Sequence, residues 1–292
     1  MAQVDVTVRA QAIVGEGPVW QPETGVLHWV DIPQGTIFSS VPGSSASAGV
    51  QLPWSVGAVA LDRDGGLVFA GAAGFGLITD DGYDLRLPFS RPGERMNDAK
   101  VDPAGRFWAG STAVDFRAGA GALHVVDGGW THRVARTGFT LPNGLDWSPD
   151  GTEFYLADSY QRAVYAYPFD LEDGALGAPR TVLSLDDADG VPDGLTVDAD
   201  GCLWIAIWGG GRLIRVAPTG ELLTTVPMPV RQPSSCAFGG PGLDVLFVTS
   251  ARDGLDLPDD AVDGSVFEVT GLDVSGLAAS RFAAGRSVEP RS

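Results

Sequence analysis

The sequence predicts an all-β protein: a six-bladed β-propeller with four-stranded antiparallel blades and an N-terminal strand that closes the last blade. Three observations point there. The composition, with 40 Gly, 20 Pro and 8 Trp, is that of many short strands joined by tight turns rather than of long helices. A pattern recurs with a period of about 40 to 50 residues, the range of propeller blades. Within each copy the order is constant: a polar or small residue, a short apolar segment, a Gly-containing turn, then an apolar-aromatic run.

The copies run in order along the chain. They are "EGPVWQPETGVLHWVD" from Glu16, "VGAVALDRDGGLVFAG" from Val56, "NDAKVDPAGRFWAGS" from Asn97, "NGLDWSPDGTEFYLAD" from Asn143, "DGLTVDADGCLWIAI" from Asp193 and "SSCAFGGPGLDVLFVTS" from Ser234. The fifth copy displays a whole blade. "GLTVD" alternates as an inner strand, "ADG" turns, "CLWIAIW" is a second strand buried on both faces, "RLIRVAP" is a third and "ELLTTVPMP" a fourth. Radial repetition of such units accounts for the 44% hydrophobic content without a helical layer, because each blade buries both faces against its neighbours. The alternating "QVDVTVRA" before the first copy has no partner in its own repeat, so it is expected beside "GSVFEVT" (Gly264 to Thr270), closing the ring. "PGSSASAG" (Pro42 to Gly49) reads as a loop between outer strands rather than a linker, and residues 1–292 as one domain.

Charge and composition exclude several function classes. A formal charge of −18, with no Lys/Arg cluster, repels a phosphate backbone, so nucleic acid is not an expected partner. No run of apolar residues is long enough to span a membrane, and "MAQVDVTVRAQAIV" lacks the features of a secretory signal. The expectation is a cytoplasmic protein, monomeric because the ring closes on itself. Cys202 and Cys236 have no metal-ligand spacing and read as buried free thiols.

The residue placed just before each inner strand is Glu16, Val56, Asn97, Asn143, Asp193 or Ser234. In equivalent blades these six ring the axis at one end of the channel, and carboxylates and amides dominate them. In "LPNGLDWSPDG" the Pro-Asp-Gly is a hairpin turn, while the Pro-Asn-Gly brings Asn143 to the axis. Asn-Gly and Asp-Gly taken singly shape turns, but their recurrence at one repeat position, with Glu16 in the same slot, points to a ligand. Converging carboxylate and amide oxygens suit a hard divalent cation: Ca²⁺ first, then Mg²⁺ or Mn²⁺, with a catalytic Zn²⁺ as a further alternative. Arg95 divides between a surface ion pair and a substrate contact.

Other chemistries lack their signatures. There is no G-x-S-x-G elbow, and "WGGGR" (Trp208 to Arg212) joins two strands rather than opening a helix. His28, His124 and His132 fall at unrelated blade positions and read as strand or loop residues. Trp208 could wall a pocket, with core packing as its default.

Over nearly its whole length, from "GEGPVW" through "RMNDAKVDPAGRFWAGS", "LPNGLDWSPDG" and "PDGLTVDADGCLWIAIWGGG", the chain resembles the SMP-30/gluconolactonase/luciferin-regenerating family of six-bladed propellers. The resemblance implies one divalent cation bound by Glu16, Asn143 and Asp193, with Arg95 and Asn97 facing a small-molecule substrate. It also implies hydrolysis of a sugar lactone to an aldonic acid. Asp193 is the candidate general base. Departures are Ala99, where "NDGK" is common in the family, His124, where an aromatic is commoner, and Thr112 to Gly121, where an acidic substrate contact in some members leaves Asp115 without an assigned role. The alternatives are a phosphotriesterase-like hydrolase on the same scaffold and a metal-binding or interaction propeller without catalysis.

Overall fold

The computed structural model describes residues 2–44, 48–89 and 91–284. The chain begins with β1 (Gln3–Val8), whose partners come last. Blade 1 is β2 (Gly15–Gln21), β3 (Val26–Asp31), β4 (Thr36–Ser40) and β5 (Ala48–Gln51); blade 2 is β6 (Val56–Leu61), β7 (Leu67–Gly71), β8 (Gly74–Thr79) and β9 (Gly82–Pro88). Blade 3 is β10 (Glu94–Val101), β11 (Phe107–Ala113), β12 (Gly121–Val126) and β13 (His132–Phe139). Blade 4 is β14 (Pro142–Trp147), β15 (Glu153–Asp158), β16 (Ala163–Pro168) and β17 (Arg180–Ser184). Blade 5 is β18 (Val191–Val197), β19 (Leu203–Trp208), β20 (Arg212–Val216) and β21 (Leu222–Pro227), and blade 6 is β22 (Pro233–Gly239), β23 (Val245–Ser250), β24 (Val266–Thr270) and β1. The fold is thus a six-bladed propeller of four-stranded antiparallel blades. β1 completes the last sheet, antiparallel to β24 with Val4 opposite Val269, as the unpaired N-terminal alternation predicts. Of the expected loop at Pro42 to Gly49, residues 45–47 lie outside the described residues, as do residues 1 and 285–292 of the chain, and β5 begins at Ala48.

Burial follows the radial arrangement. The inner β6 and the middle β7, β11 and β12 are buried along their whole length, whereas the outermost β21 is mostly exposed. Six apolar clusters account for this, each made by two adjacent blades: Phe75 with Phe107 between blades 2 and 3, Trp108 with Phe154 between 3 and 4, Trp29 with Phe247 between 6 and 1. Stacking apolar faces in a closed circle removes area from water on both sides of every sheet, at roughly 25 cal/mol per Å². The hairpin turns are fixed by carboxylates. Asp102 accepts from the Ala104 and Arg106 amides and from Trp108 Nε1, and Asp198 accepts in the same way from Asp200, Cys202 and Trp204 Nε1.

One feature of the inner strands departs from the sequence reading. The six ring residues do not precede their strands; they lie within them or at their first residue, and every innermost pair shifts register there, between Glu16 and Val19, Val56 and Ala58, Met96 and Ala99, Pro142 and Leu145, Pro192 and Leu195, and Pro233 and Ser235. Pro142-Asn143-Gly144 is therefore a β-bulge, not a turn. A bulge re-aims a side chain without ending the strand, which is how a residue paired in a sheet can point to the axis. Glycine follows Asn143 because a Cβ on Gly144 would stand 2.3 Å from the Leu195 amide nitrogen and 2.5 Å from the Asp193 carbonyl oxygen. The inner strands of blades 4 and 5 touch backbone to backbone.

The segment after β24 crosses the far end of the channel. Gly276 bridges to Asp198 and Phe282 to Asp62; the Ala283 amide donates to Gly105 O at 2.9 Å, and Phe282 is buried between blades 2 and 3.

Candidate metal centre and substrate pocket

Two cavities lie along the axis. The one at the far ends of the inner strands, of about 250 Å³, is roofed by Leu277 to Ser280. Lys100 Nζ donates to Asp146 Oδ2 at 2.8 Å and to Leu195 O at 3.2 Å, so Lys100 and Asp146 pair with each other in its lining. The other, of about 390 Å³, lies at the bulged ends and is lined by Glu16, Asn97, Asn143 and Asp193 together with Arg95. Four of the six ring residues meet there. Val56 instead packs into the core between blades 1 and 2, and the Ser234 hydroxyl is spent on Gly15 O at 2.5 Å and Thr249 Oγ1 at 3.0 Å.

The four are held in detail. Asn143 Nδ2 donates to Ser159 Oγ at 3.1 Å and to Asp193 Oδ1, while Ser159 Oγ donates to Pro192 O at 2.8 Å. Glu16 Oε2 accepts from the Gly17 amide at 2.9 Å. Asn97 Nδ2 donates to Pro142 O at 3.1 Å and its Oδ1 accepts from Arg95 Nη1 at 2.6 Å, so Asn97 links blade 4 to the Arg95 guanidinium. Arg95 lies beside the carboxylates, half-buried, rather than in a surface ion pair. Burial lowers its pKa, an effect opposed by Glu16 and Asp193.

The electrostatics call for a cation. Burial, then the neighbouring Asp193 and Asp98, hold the Glu16 pKa well above the usual carboxylate range. Burial and then Asp98 do the same to Asp193, against the opposing Arg95 and the hydrogen bond from Asn143. Asp98 is itself pushed up to about 6, chiefly by burial. Asn143 Oδ1 is buried with no hydrogen-bond partner. An orphaned acceptor in a cavity shared with two buried carboxylates that resist ionisation fits a hard divalent ion: all the donors are oxygen, and the ion would satisfy the amide and neutralise the acids at once. Among the described residues no three His, Cys, Asp or Glu side chains converge as a metal group; the set here has two carboxylates and an amide.

Several lining residues carried no signal in the sequence. Trp208 is the exception: a pocket wall was the alternative to its default core placement, and it borders this cavity. Tyr160 stands on the 3₁₀ turn Ser159–Gln161, which Asp158 caps by accepting from the Tyr160 and Gln161 amides. Asp158 also accepts from the Thr140 and Leu141 amides, at 2.9 and 3.2 Å, and Asp31 does the same for Ile13 and Val14 in blade 1. In both blades an aspartate ending the second strand fixes the entry to the ring residue. That repeat, Asp31 with Glu16 and Asp158 with Asn143, was readable in "VLHWVD" and "EFYLAD", and it would have led to Ser159. Asp115 is turned to solvent, paired with Arg117 at 3.1 Å; its neighbour Phe116 lines the pocket. His28, His124 and His132 all lie on strands outside the cavity lining, and Cys202 and Cys236 are buried free thiols.

Comparison with known proteins shows the family and the fold. Residues 14–252 match the family model described as SMP-30/Gluconolactonase/LRE-like region. Regucalcin of Xenopus laevis is 34% identical over 96% of this chain and 98% of its own. Among solved structures, a luciferin-regenerating enzyme superposes with a TM-score of 0.85 at 31% identity, covering 97% of this chain and 99% of that one. A calcium-binding protein, regucalcin, from Agrobacterium tumefaciens superposes with a TM-score of 0.87 at 28% identity, covering 95% and 99%.

Proposed function

The chain belongs to the SMP-30/gluconolactonase/LRE-like family, and on that premise we propose that it is a divalent-metal-dependent lactonase that opens a sugar lactone to its aldonic acid. The observation that carries the proposal is the unpartnered Asn143 Oδ1 in the cavity that buried Glu16 and Asp193 also line. These three residues would hold the cation, Ca²⁺ in the first instance. Bound there, a divalent cation supplies Lewis-acid polarisation of a carbonyl.

The remaining work falls to the protein. Water adds to the lactone carbonyl carbon, the bond from that carbon to the ring oxygen breaks, and the products are a carboxyl and a hydroxyl on one open chain. Asp193 takes the proton from the attacking water and returns it to the departing ring oxygen, so no proton is lost from the balance. Asp193 Oδ1 accepts from Asn143 Nδ2, which orients the carboxylate. A carboxylate held within reach of the attacking water can serve as general base. Arg95, held by Asn97 and by Met96 O, brings positive charge to the side of the pocket where negative charge develops. The apolar upper walls, Ile32, Leu141 and Val191 among them, limit water around the reacting centre. A small, uncharged substrate also suits a protein with a formal charge of −18.

The test is acid release in a pH-stat from five- and six-membered sugar lactones, with protein stripped by chelator and restored with Ca²⁺, Mn²⁺, Mg²⁺ or Zn²⁺ singly. Metal-restored turnover that Asp193→Ala abolishes is the expected result. Metal binding by calorimetry with no acceleration of any lactone above its spontaneous rate would overturn the proposal and favour phosphotriesters or a non-catalytic scaffold.

A further inference from the structure

The strap between β11 and β12 carries Phe116 in a conformation its side chain disfavours. Its φ is +51°, a left-handed value uncommon outside glycine and asparagine. Such an outlier persists only where its surroundings fix it, and here they are specific. The Phe116 ring stacks on Tyr160 with centroids 5.3 Å apart and planes at 25°, and the Arg95 guanidinium lies over it at 5.9 Å. The strap itself is set by the Phe116 amide donating to Ala113 O at 2.9 Å. Asp115, one residue earlier, faces away into solvent with Arg117. The chain therefore twists so that an aromatic ring, and not the adjacent carboxylate, borders the pocket.

Tyr160 is equally fixed. It sits on the Asp158-capped turn, next to Ser159, which holds Asn143. The pair spans blades 3 and 4 as an overlapping aromatic stack that lines the pocket beside its charged floor. Of the charged groups of the upper pocket, Arg162 caps the C-terminal end of the same turn that carries Tyr160, and Asp253 comes from another loop. Arg162 is already bonded to Gly190 O at 2.7 Å and paired with Asp187 at 3.0 Å.

We propose that the stacked Phe116 and Tyr160 rings are the substrate-selecting wall of this site, taking the C–H face of a lactone ring, so that the chain prefers lactones lacking a hydroxyl on that flank. The inference rests on the lactonase reading and narrows its substrate class. A ring face of C–H bonds packs on an aromatic pair with no polar group stranded. A hydroxyl pressed against the carbon faces of these rings loses water and meets no acceptor there, the Tyr160 phenol being the only polar group the two side chains carry. Apolar walls discriminate against an added hydroxyl only moderately, on the order of 10- to 100-fold, and the expected preference lies in that range.

The experiment compares a pentono-1,4-lactone with its 2-, 3- and 5-deoxy counterparts on wild-type protein, Phe116→Asn and Tyr160→Leu, all loaded with Ca²⁺. Asn accepts the left-handed backbone more readily than Phe, so the first variant relieves strain, and Tyr160 is 56% exposed, so the second disturbs no core. At least one deoxy lactone should be turned over by wild type with kcat/KM about tenfold or more above the parent. That advantage should fall about tenfold in both variants, through KM more than kcat. Parent lactone favoured over every deoxy form, or an advantage that persists in both variants, overturns the proposal. If wild-type protein hydrolyses no lactone, the lactonase reading fails separately. Calorimetry with a 2-deoxy and a fully hydroxylated 1,5-anhydro sugar then decides the wall without catalysis: tighter binding of the deoxy ring that Phe116→Asn removes supports it, and equal binding refutes it.

Discussion

Replacing His124 with Gln should flatten the acid sensitivity of this propeller. His124 is fully buried in blade 3, with Nδ1 3.0 Å from His132 Nε2 and Nε2 2.9 Å from Ser111 Oγ. Burial first, then His132 and Arg91, push its pKa down to about 3 from an ordinary 6.5, and the adjacent Phe89 ring, 5.0 Å away, offers no compensating charge. Between those two values the unfolded chain binds a proton that the folded one does not. Stability therefore falls as pH drops below 6.5, by about 1.4 kcal/mol per pH unit. At pH 4.5 the loss from His124 alone is about 3 kcal/mol, a large share of typical domain stability. Glu16, Asp98 and Asp193, with raised pKa values, work in the opposite sense, because their protonation as pH falls relieves buried charge. They are common to wild type and variant, so the difference between the two isolates the histidine. Gln can still bond Ser111. Urea unfolding at pH 7.5, 6.5, 5.5 and 4.5 should give curves for wild type and His124→Gln that converge by about 3 kcal/mol across the two lower units. Parallel curves would show that the buried imidazole carries no proton-linked cost.

Glu16→Gln should raise the thermal midpoint of protein in chelator, since it removes a buried carboxylate that resists ionisation, while weakening Ca²⁺ binding at least about tenfold by calorimetry; a lowered midpoint would remove the charge-repulsion argument. Gly144→Ala should lower the midpoint by roughly 2 to 5 °C, because a Cβ 2.3 Å from the Leu195 amide forces blades 4 and 5 apart and overpacking costs about 1–3 kcal/mol. An unchanged midpoint would mean that the inner strands slide freely. Ser159→Ala should weaken Ca²⁺ binding about tenfold by freeing the Asn143 amide, with the Ca²⁺-free fold unchanged by circular dichroism; Ser159→Thr should restore part of the loss.

The repeat was legible because every blade must bury both faces and turn four times, and those demands act on nearest neighbours in sequence. The same logic exposed Glu16, Asn143 and Asp193: they occupy one slot of a repeated unit. Their backbone setting was not legible. A bulge such as that between Pro142 and Leu145 is a relation between two strands, and Pro-Asn-Gly in one strand looks like a turn. The upper wall was hidden for a related reason. Phe116 and Tyr160 meet across two blades, 44 positions apart in the chain. Trp208, the last residue of β19, lines the cavity; eight tryptophans make core packing the default, so the pocket wall stood only as the alternative.

Blade 6 pairs the first strand of the propeller with its last, Gln3 opposite Thr270. During synthesis β1 emerges first and must wait, its amide and carbonyl groups unpaired, until almost the whole chain has been made. Five blades can form in sequence behind it, but the circle stays open at a gap flanked by the apolar faces of Trp20 and Phe247. Ring closure is therefore the late event, of high contact order and slow. A mutation weakening the β1–β24 seam will show itself as aggregation of nascent protein before it shows as a lower melting temperature.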